Sequence, residues 1–305
     1  MHESGNRVDT STIHSFLYKN IVKPYAYLLK NEYGEYLVKF EELDNHEEHK
    51  PSMGKIKTWI DKSPENFKYI YLKNNIKNTI KILSDLTWKL DTFGNCQLDF
   101  QTPKRFPINL KKLAIDYKKL YWSEGRIHHE DVLYFSYTIL KDNPLIRKFI
   151  SAKYPYIFID EFQDTNPIQT IIIKWLAEAG STIGVIGDHA QSIYRFQGAK
   201  REDFMNFSLK GQIDYKIEDN WRSTQKIIDL LNYMRKNDSF RQECIRKETG
   251  KNVCLLISNQ VHESVSLFNK FHDGKDTVIL TRENMYLIKI KAEKDEDSDI
   301  LSTPV

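Results

Sequence analysis

The sequence predicts an α/β fold built on a parallel sheet. Two apolar runs carry this prediction, YIFID at 156–160 and TIGVIGD at 182–188, and each ends in an acid. Short apolar runs of this kind sit in parallel sheets. The third observation is the helix between them. Asn166 and Pro167 form an N-cap and first-turn pair. Ile168, Ile171, Ile172, Trp175 and Leu176 then recur at helical spacing on one face, and Gly180 ends the run. The result is a βαβ unit that brings two carboxylates to the C-terminal edge of adjacent strands. In open α/β sheets that edge is where ligands bind.

The other elements follow in chain order. Residues 11–30 (STIHSFLYKNIVKPYAYLLK) read as a capped start and an apolar helix that Pro24 is expected to interrupt. Residues 31–125 are rich in Lys, Asn, Tyr and Trp, with helix-like segments near 65–90 and 108–122. After the βαβ block a helix is expected near 224–235. Two strand candidates follow, VCLLIS at 253–258 and TVILT at 277–281. The run KAEKDEDSD at 291–299 reads as a solvated tail.

Bulk properties narrow the function classes. A chain of 305 residues suits two domains, or one with a large insert. A net charge of +3 permits a local basic groove and argues against a polyanion mimic, but does not establish nucleic-acid binding. Cys96, Cys244 and Cys254 form no close pair, so no zinc site is expected, and the low odd count fits a reducing cytosol. There is no apolar run of membrane-spanning length and no apolar signal core at the polar N-terminus. A cytoplasmic protein is expected.

The chemistry concentrates at the strand tips. An apolar strand delivering Asp160-Glu161 to its end suits phosphoryl transfer: one carboxylate holds magnesium, the next orients or deprotonates the attacking water. Asp-Glu alone equally describes a solvated acidic turn; the following Gln163, Asp164 and Thr165 weigh against that. Beyond the second strand, the Gln191 amide is suited to donate to a γ-phosphate oxygen. Tyr194 and Phe196 alternate just after it, as aromatics that stack on unpaired bases do, although in isolation they read more readily as core residues. Next comes Asn220-Trp221-Arg222-Ser223. An arginine near a nucleotide neutralises charge on the transferred phosphoryl group, while a lone arginine reads as a surface ion pair. Trp221 is suited to lie against a purine.

DEFQDT, GDHAQSIYRFQGA and NWRST, in this order and spacing, resemble motifs II, III and IV of the UvrD/Rep family. These are superfamily 1 helicases that move 3′ to 5′ on single-stranded DNA. STIHSF at 11–16 resembles the family's DNA-contacting TFHS motif. HHEDVLYFSYTIL at 128–140 resembles the acidic-hydrophobic helix before motif II, and VILTREN at 278–284 a strand early in the second motor domain. The resemblance is strong over 126–225, fair at 10–30 and 275–284, and weak across 31–125. The IVKPYAYLL segment is similar to the helicase-like subunit of Gabija anti-phage systems.

The resemblance implies a RecA-like motor domain from 1–30 and 126–221, a helical insert at 31–125, and the opening of a second RecA-like domain at 222–305. It implies ATP and Mg2+ as cofactors, and single-stranded DNA or single/double-strand junctions as partners. Asp160 would bind magnesium, Glu161 would activate water, and Gln191 would contact the γ-phosphate. Arg222 would bridge the motor domains through that phosphate, and Trp221 would pack on adenine. Thr12 and His14 would lie on the DNA path, and Tyr194 and Phe196 would face the bases. Gln197 stands where the family pattern has arginine, which puts a charged contact there in doubt; His189 and Ala190 replace residues that are often acidic. No GxxxxGK[ST] phosphate loop occurs: Gly54-Lys55, Gly250-Lys251 and Gly274-Lys275 lack its context. The chain is therefore expected to represent the middle of such a motor, with little ATP hydrolysis alone and a poorly packed second piece. Two other readings stay open: a non-catalytic single-stranded nucleic-acid-binding or regulatory module, and a split motor whose partner chain supplies the loop.

Overall fold

The computed structural model describes residues 8–43, 46–47, 51–62, 75–101, 108–191, 204–237, 240–255, 257 and 263. The chain divides into two compact units, Met1–Gln212 and Ile213–Val305. Residues 213–221 thus fall in the second unit, although the sequence reading grouped them with the first motor domain.

In the first unit, α1 (Ile13–Leu17) starts at Thr12, whose Oγ1 accepts from Ser15 N at 3.2 Å. Pro24 does not interrupt the run. A π-helical turn, Tyr18–Val22, leads into α2 (Lys23–Tyr25) and a 3-10 turn, Ala26–Leu28. The widened turn lets Lys23 N reach Tyr18 O, and this shift of the hydrogen-bond register accommodates Pro24 inside a continuous helical run. A two-residue strand β1 (His46–Glu47) and α3 (Met53–Lys62) open the insert, followed by α4 (Ile76–Leu83).

The segment read as helical to residue 90 is corrected beyond α4. Residues Leu86–Leu90 form β2, antiparallel to β3 (Cys96–Phe100). The turn between them decides this: Asp91 Oδ1 accepts from Phe93 N and Asn95 N, both at 2.8 Å, and Gly94 takes φ +80°. Trp88, Leu98 and Phe100 of the hairpin are buried in the main hydrophobic cluster. Helix α5 (Ile108–Trp122) agrees with the expected 108–122, and β4 (Ile127–His128) pairs in parallel with β1.

Helix α6 (Asp131–Asp142) runs through the core with Val132, Leu133, Phe135, Ile139 and Leu140 buried. Helix α7 (Pro144–Lys153), strand β5 (Tyr156–Ile159), helix α8 (Pro167–Ala179) and strand β6 (Thr182–Val185) follow. Asn166 and Gln169 close a reciprocal capping box at the start of α8. Ile168, Ile172 and Leu176 of α8 belong to the same hydrophobic cluster as Trp59, Trp88 and Trp122 of the insert. Side chains from 59–122 and from α8 thus share one core.

Strands β5 and β6 pair in parallel, from Tyr156 opposite Thr182 to Ile159 opposite Val185. The apolar run at 156–159 is covered on one face only. Tyr156 is 68% exposed and Phe158 73%, whereas Ile159 is buried. Successive side chains point to opposite faces, and among the described residues helix packing covers the face bearing Ile157 and Ile159.

In the second unit, β7 (Asp219–Asn220) pairs in parallel with β8 (Glu243–Cys244), and α9 (Gln225–Met234) occupies the expected helical stretch. The described part of the 253–258 candidate is not a strand, and Val253, Leu255 and Ile257 are exposed there. Among the described residues no strand pairs with this run, and an apolar run without a ladder is not a strand. The 277–281 candidate and the 291–299 tail lie outside the described residues. Among the described residues no helix is long and apolar enough to cross a membrane.

Candidate functional site

The site forms where β5 and β6 end. After Ile159 the chain carries two exposed acids, Asp160 and Glu161, and then the buried ring of Phe162. Phe162 N donates to Ile186 O at 2.8 Å, and its ring meets Phe207 at 4.6 Å between centroids. Seating that ring one residue after Glu161 forces a sharp turn. Glu161 takes φ 50° and ψ 40°, a left-handed conformation that disfavours side-chain-bearing residues by roughly 1–2 kcal/mol. Asp160 Oδ1 accepts Glu161 N at 2.9 Å across the turn. A 3-10 turn, Phe162–Asp164, then leads to the cap of α8.

The second tip begins with Ile186 N donating to Ile159 O at 2.8 Å, so the ladder extends one residue past β6. Gly187 and Asp188 follow, then a 3-10 turn, His189–Gln191. Asp188 organises this turn: Oδ1 accepts from Ala190 N at 3.0 Å and Oδ2 accepts from Gln191 Nε2 at 2.9 Å.

Gln163 joins the two tips. Its Oε1 accepts from Asp188 N at 2.9 Å, and its Nε2 donates to Glu161 Oε2 at 2.6 Å. Glu161, Gln163, Asp188 and Gln191 therefore form one hydrogen-bonded series, with Gln163 buried and both Glu161 and Gln191 exposed.

Helix α1 supplies a further wall. Thr12 and His14 line a cleft of about 480 Å³ together with Asp160 and Glu161. His14 stacks on His129 with ring centroids 3.8 Å apart and an interplanar angle of 19°. Thr12 and His14 thus stand beside the carboxylate tip. Glu130 and Asp164 also line the cleft, and its described lining contains no Lys or Arg. A bare triphosphate is repelled by such a surface.

The donor set suits magnesium arriving with phosphates. Mg2+ is held by one or two carboxylates plus phosphate oxygens and water, and does not require a protein cage. Asp160 is such a carboxylate, exposed at the tip and facing the cleft. Among the described residues no group of three His, Cys, Asp or Glu side chains is placed to hold a metal unaided.

In the second unit, Trp221 is 67% exposed and Arg222 is exposed beside it. Asn220 Oδ1 accepts from Arg222 N at 3.0 Å and from Ser223 N at 2.8 Å, which curls the segment and presents both side chains to solvent. Arg246 Nη1 donates to Arg222 O at 3.1 Å and leaves the Arg222 guanidinium out of that contact. Tyr194, Phe196 and Gln197 lie outside the described residues.

Sequence reasoning gave no separate role to Gln163, Asp188, His129 or Asn220. All four lie inside segments that carry the family resemblance, so position is available as a signal. The Gln163–Asp188 contact depends on which strand tip lies opposite, which the sheet sets, and the His129–His14 stack on the packing of α1, whereas the Asn220 turn is local.

The family described as UvrD/REP helicase N-terminal domain matches residues 2–212. The chain is similar to a probable DNA helicase II homolog of Mycoplasma capricolum, with 28% identity over 241 residues, covering 73% of this chain and 33% of that protein. It is similar to the ATP-dependent DNA helicase Rep of Buchnera aphidicola, with 29% identity over 69% of this chain and 35% of the relative. Gabija protein GajB of Bacillus cereus is 29% identical over 67% of this chain and 32% of its own length. The chain thus spans about a third of the length of these relatives.

Proposed function

The chain belongs to the UvrD/REP helicase family, and from that membership we propose that it carries the carboxylate and γ-phosphate-contacting half of an ATP-driven motor that moves 3′ to 5′ on single-stranded DNA. Asp160 holds the magnesium ion that accompanies ATP. When bound, that ion neutralises the phosphates against the acidic cleft and stabilises charge during transfer. Glu161 orients the attacking water and accepts its proton. Gln191 contacts the γ-phosphate, and in doing so exchanges the hydrogen bond it makes to Asp188. Arg222 of the second unit neutralises the phosphoryl group and Trp221 packs on adenine. Thr12, His14, Tyr194 and Phe196 lie along the DNA, and single-stranded DNA or its junction with duplex is the partner.

The observation that supports this reading best is the joining of the two strand tips. Asp160, Glu161 and Gln191 are all exposed there, and Gln163 and Asp188 link Glu161 to Gln191 by hydrogen bonds. A solvated acidic turn needs no such arrangement.

The test uses Mn2+ with ATP as a paramagnetic stand-in for magnesium. Amide resonances of 159–164 and 187–191 are expected to broaden in the wild-type chain and in Glu161→Gln, and to stay sharp in Asp160→Ala. Broadening that ignores Asp160→Ala, or that centres elsewhere, removes the metal assignment and with it this reading.

A further inference from the structure

Gln163 is 2% exposed, although it follows two solvent-facing acids within three residues. Its amide has no orientational freedom. Asp188 N–H can bond only to oxygen, which assigns Oε1 to it and leaves Nε2 for the Glu161 carboxylate. A carboxylate in its place repels Glu161, and an apolar side chain leaves Asp188 N–H and the Glu161 oxygen without this partner.

Gly187 supports the same point. A Cβ built there lies 2.5 Å from Gln163 Oε1 and 3.2 Å from Gln163 N. The second tip therefore seats directly on the Gln163 amide, with no room for any side chain at 187. Glu161, at the other end, is exposed and left-handed, so its carboxylate depends on few contacts for its direction.

We propose that Gln163 is a positioning residue that ties the direction of the Glu161 carboxylate to the placement of the 187–191 tip. The inference rests on the motor reading of Glu161 and Gln191. Its content is the route between them. When Gln191 Nε2 leaves Asp188, the Asp188 segment is released, and the Gln163 amide carries that displacement to the group that orients water. Water activation thereby becomes sensitive to whether the γ-phosphate contact has formed.

The test is a double-mutant comparison on the full chain, read by backbone amide resonances and hydrogen exchange. Glu161→Ala is expected to shift the Asp188 and Gln191 resonances in the wild-type background and to leave them unmoved in Gln163→Leu. Gln163→Leu is also expected to speed exchange at Asp188 N–H by about tenfold. Gln163→Met, close in shape and uncharged, guards against misfolding: it keeps the buried volume but loses the donor to Glu161, so the fold is retained and the response to Glu161→Ala is abolished. A purely structural Gln163 gives the same response to Glu161→Ala in every background, and that result overturns the proposal. Mg2+ with ATPγS separates this failure from failure of the motor reading: if no resonance near Asp160 or Gln191 moves on its addition, the motor reading fails, and the double-mutant comparison still decides the coupling.

Discussion

Asp131 is 2% exposed and accepts four hydrogen bonds: from Trp88 Nε1 and Trp122 Nε1 at 2.9 Å, His128 N at 3.1 Å and Lys118 Nζ at 2.5 Å. Burial pushes its carboxyl up, but the Lys118 charge and the indole N–H groups outweigh burial and hold it below the usual carboxylate range. The sign follows. A folded-state value below the unfolded value of about 3.9 stabilises the fold above that pH, and the contribution is lost as pH falls through the folded value. Asp131→Asn leaves Lys118 charged and nearly buried, and is expected to destabilise by about 3–5 kcal/mol at pH 7. Urea denaturation of both proteins at pH 7 and at pH 3 checks this. The difference should shrink on acidification, and a pH-independent difference refutes the ion-pair account. The sequence could name Asp160 and Glu161 because strand and helix punctuation surround them. It could not single out Asp131 in the same way, because Trp88 lies 43 residues away and Lys118 lies 13.

At the scale of elements, legibility followed local punctuation. The βαβ unit was readable because Asn166, Pro167 and Gly180 bracket a single apolar face. The β2–β3 hairpin is not legible because Leu86–Leu90 closes the helix-like stretch near 65–90, and its pairing with Cys96–Phe100 is a tertiary fact. Pro24 misled because a π turn accommodates it. Two glycines show how the same sheet treats its faces differently. A Cβ at Gly184 meets Phe158 at 2.5 Å, but that ring is 73% exposed and can swing into solvent. A Cβ at Gly187 meets the buried Gln163 amide at 2.5 Å and Phe204 at 2.9 Å. Gly184→Ala is therefore expected to change stability by less than about 0.5 kcal/mol, and Gly187→Ala to cost about 1–3 kcal/mol. Chemical denaturation of the two variants ranks them; equal losses contradict the picture of one open face and one seated tip.

For the whole molecule, the two compact units divide the proposed chemistry between them: Asp160, Glu161 and Gln191 in the first, Trp221 and Arg222 in the second. The sheet around the first unit's tip is two-stranded among the described residues, and its cleft is lined by Glu130, Asp160, Glu161 and Asp164 without a lysine or arginine. Phosphoryl transfer relies on positioning and on positive charge at the phosphates. In this family's chemistry much of that comes from a phosphate loop with backbone amides and a lysine, and the 305 residues contain no GxxxxGK[ST] run. Carboxylates that recruit a cation bring in a metal-bound triphosphate, but by themselves they do not fix its γ-phosphate in line with the attacking water. The chain alone is thus expected to turn over ATP more than about a hundredfold below the roughly 10 s⁻¹ typical of enzymes, with or without single-stranded DNA. Phosphate release by wild-type chain should then match that of Glu161→Gln. Strong turnover, stimulated by DNA and abolished by Glu161→Gln, contradicts the argument, because it requires this chain to cradle the phosphates by groups other than a phosphate loop.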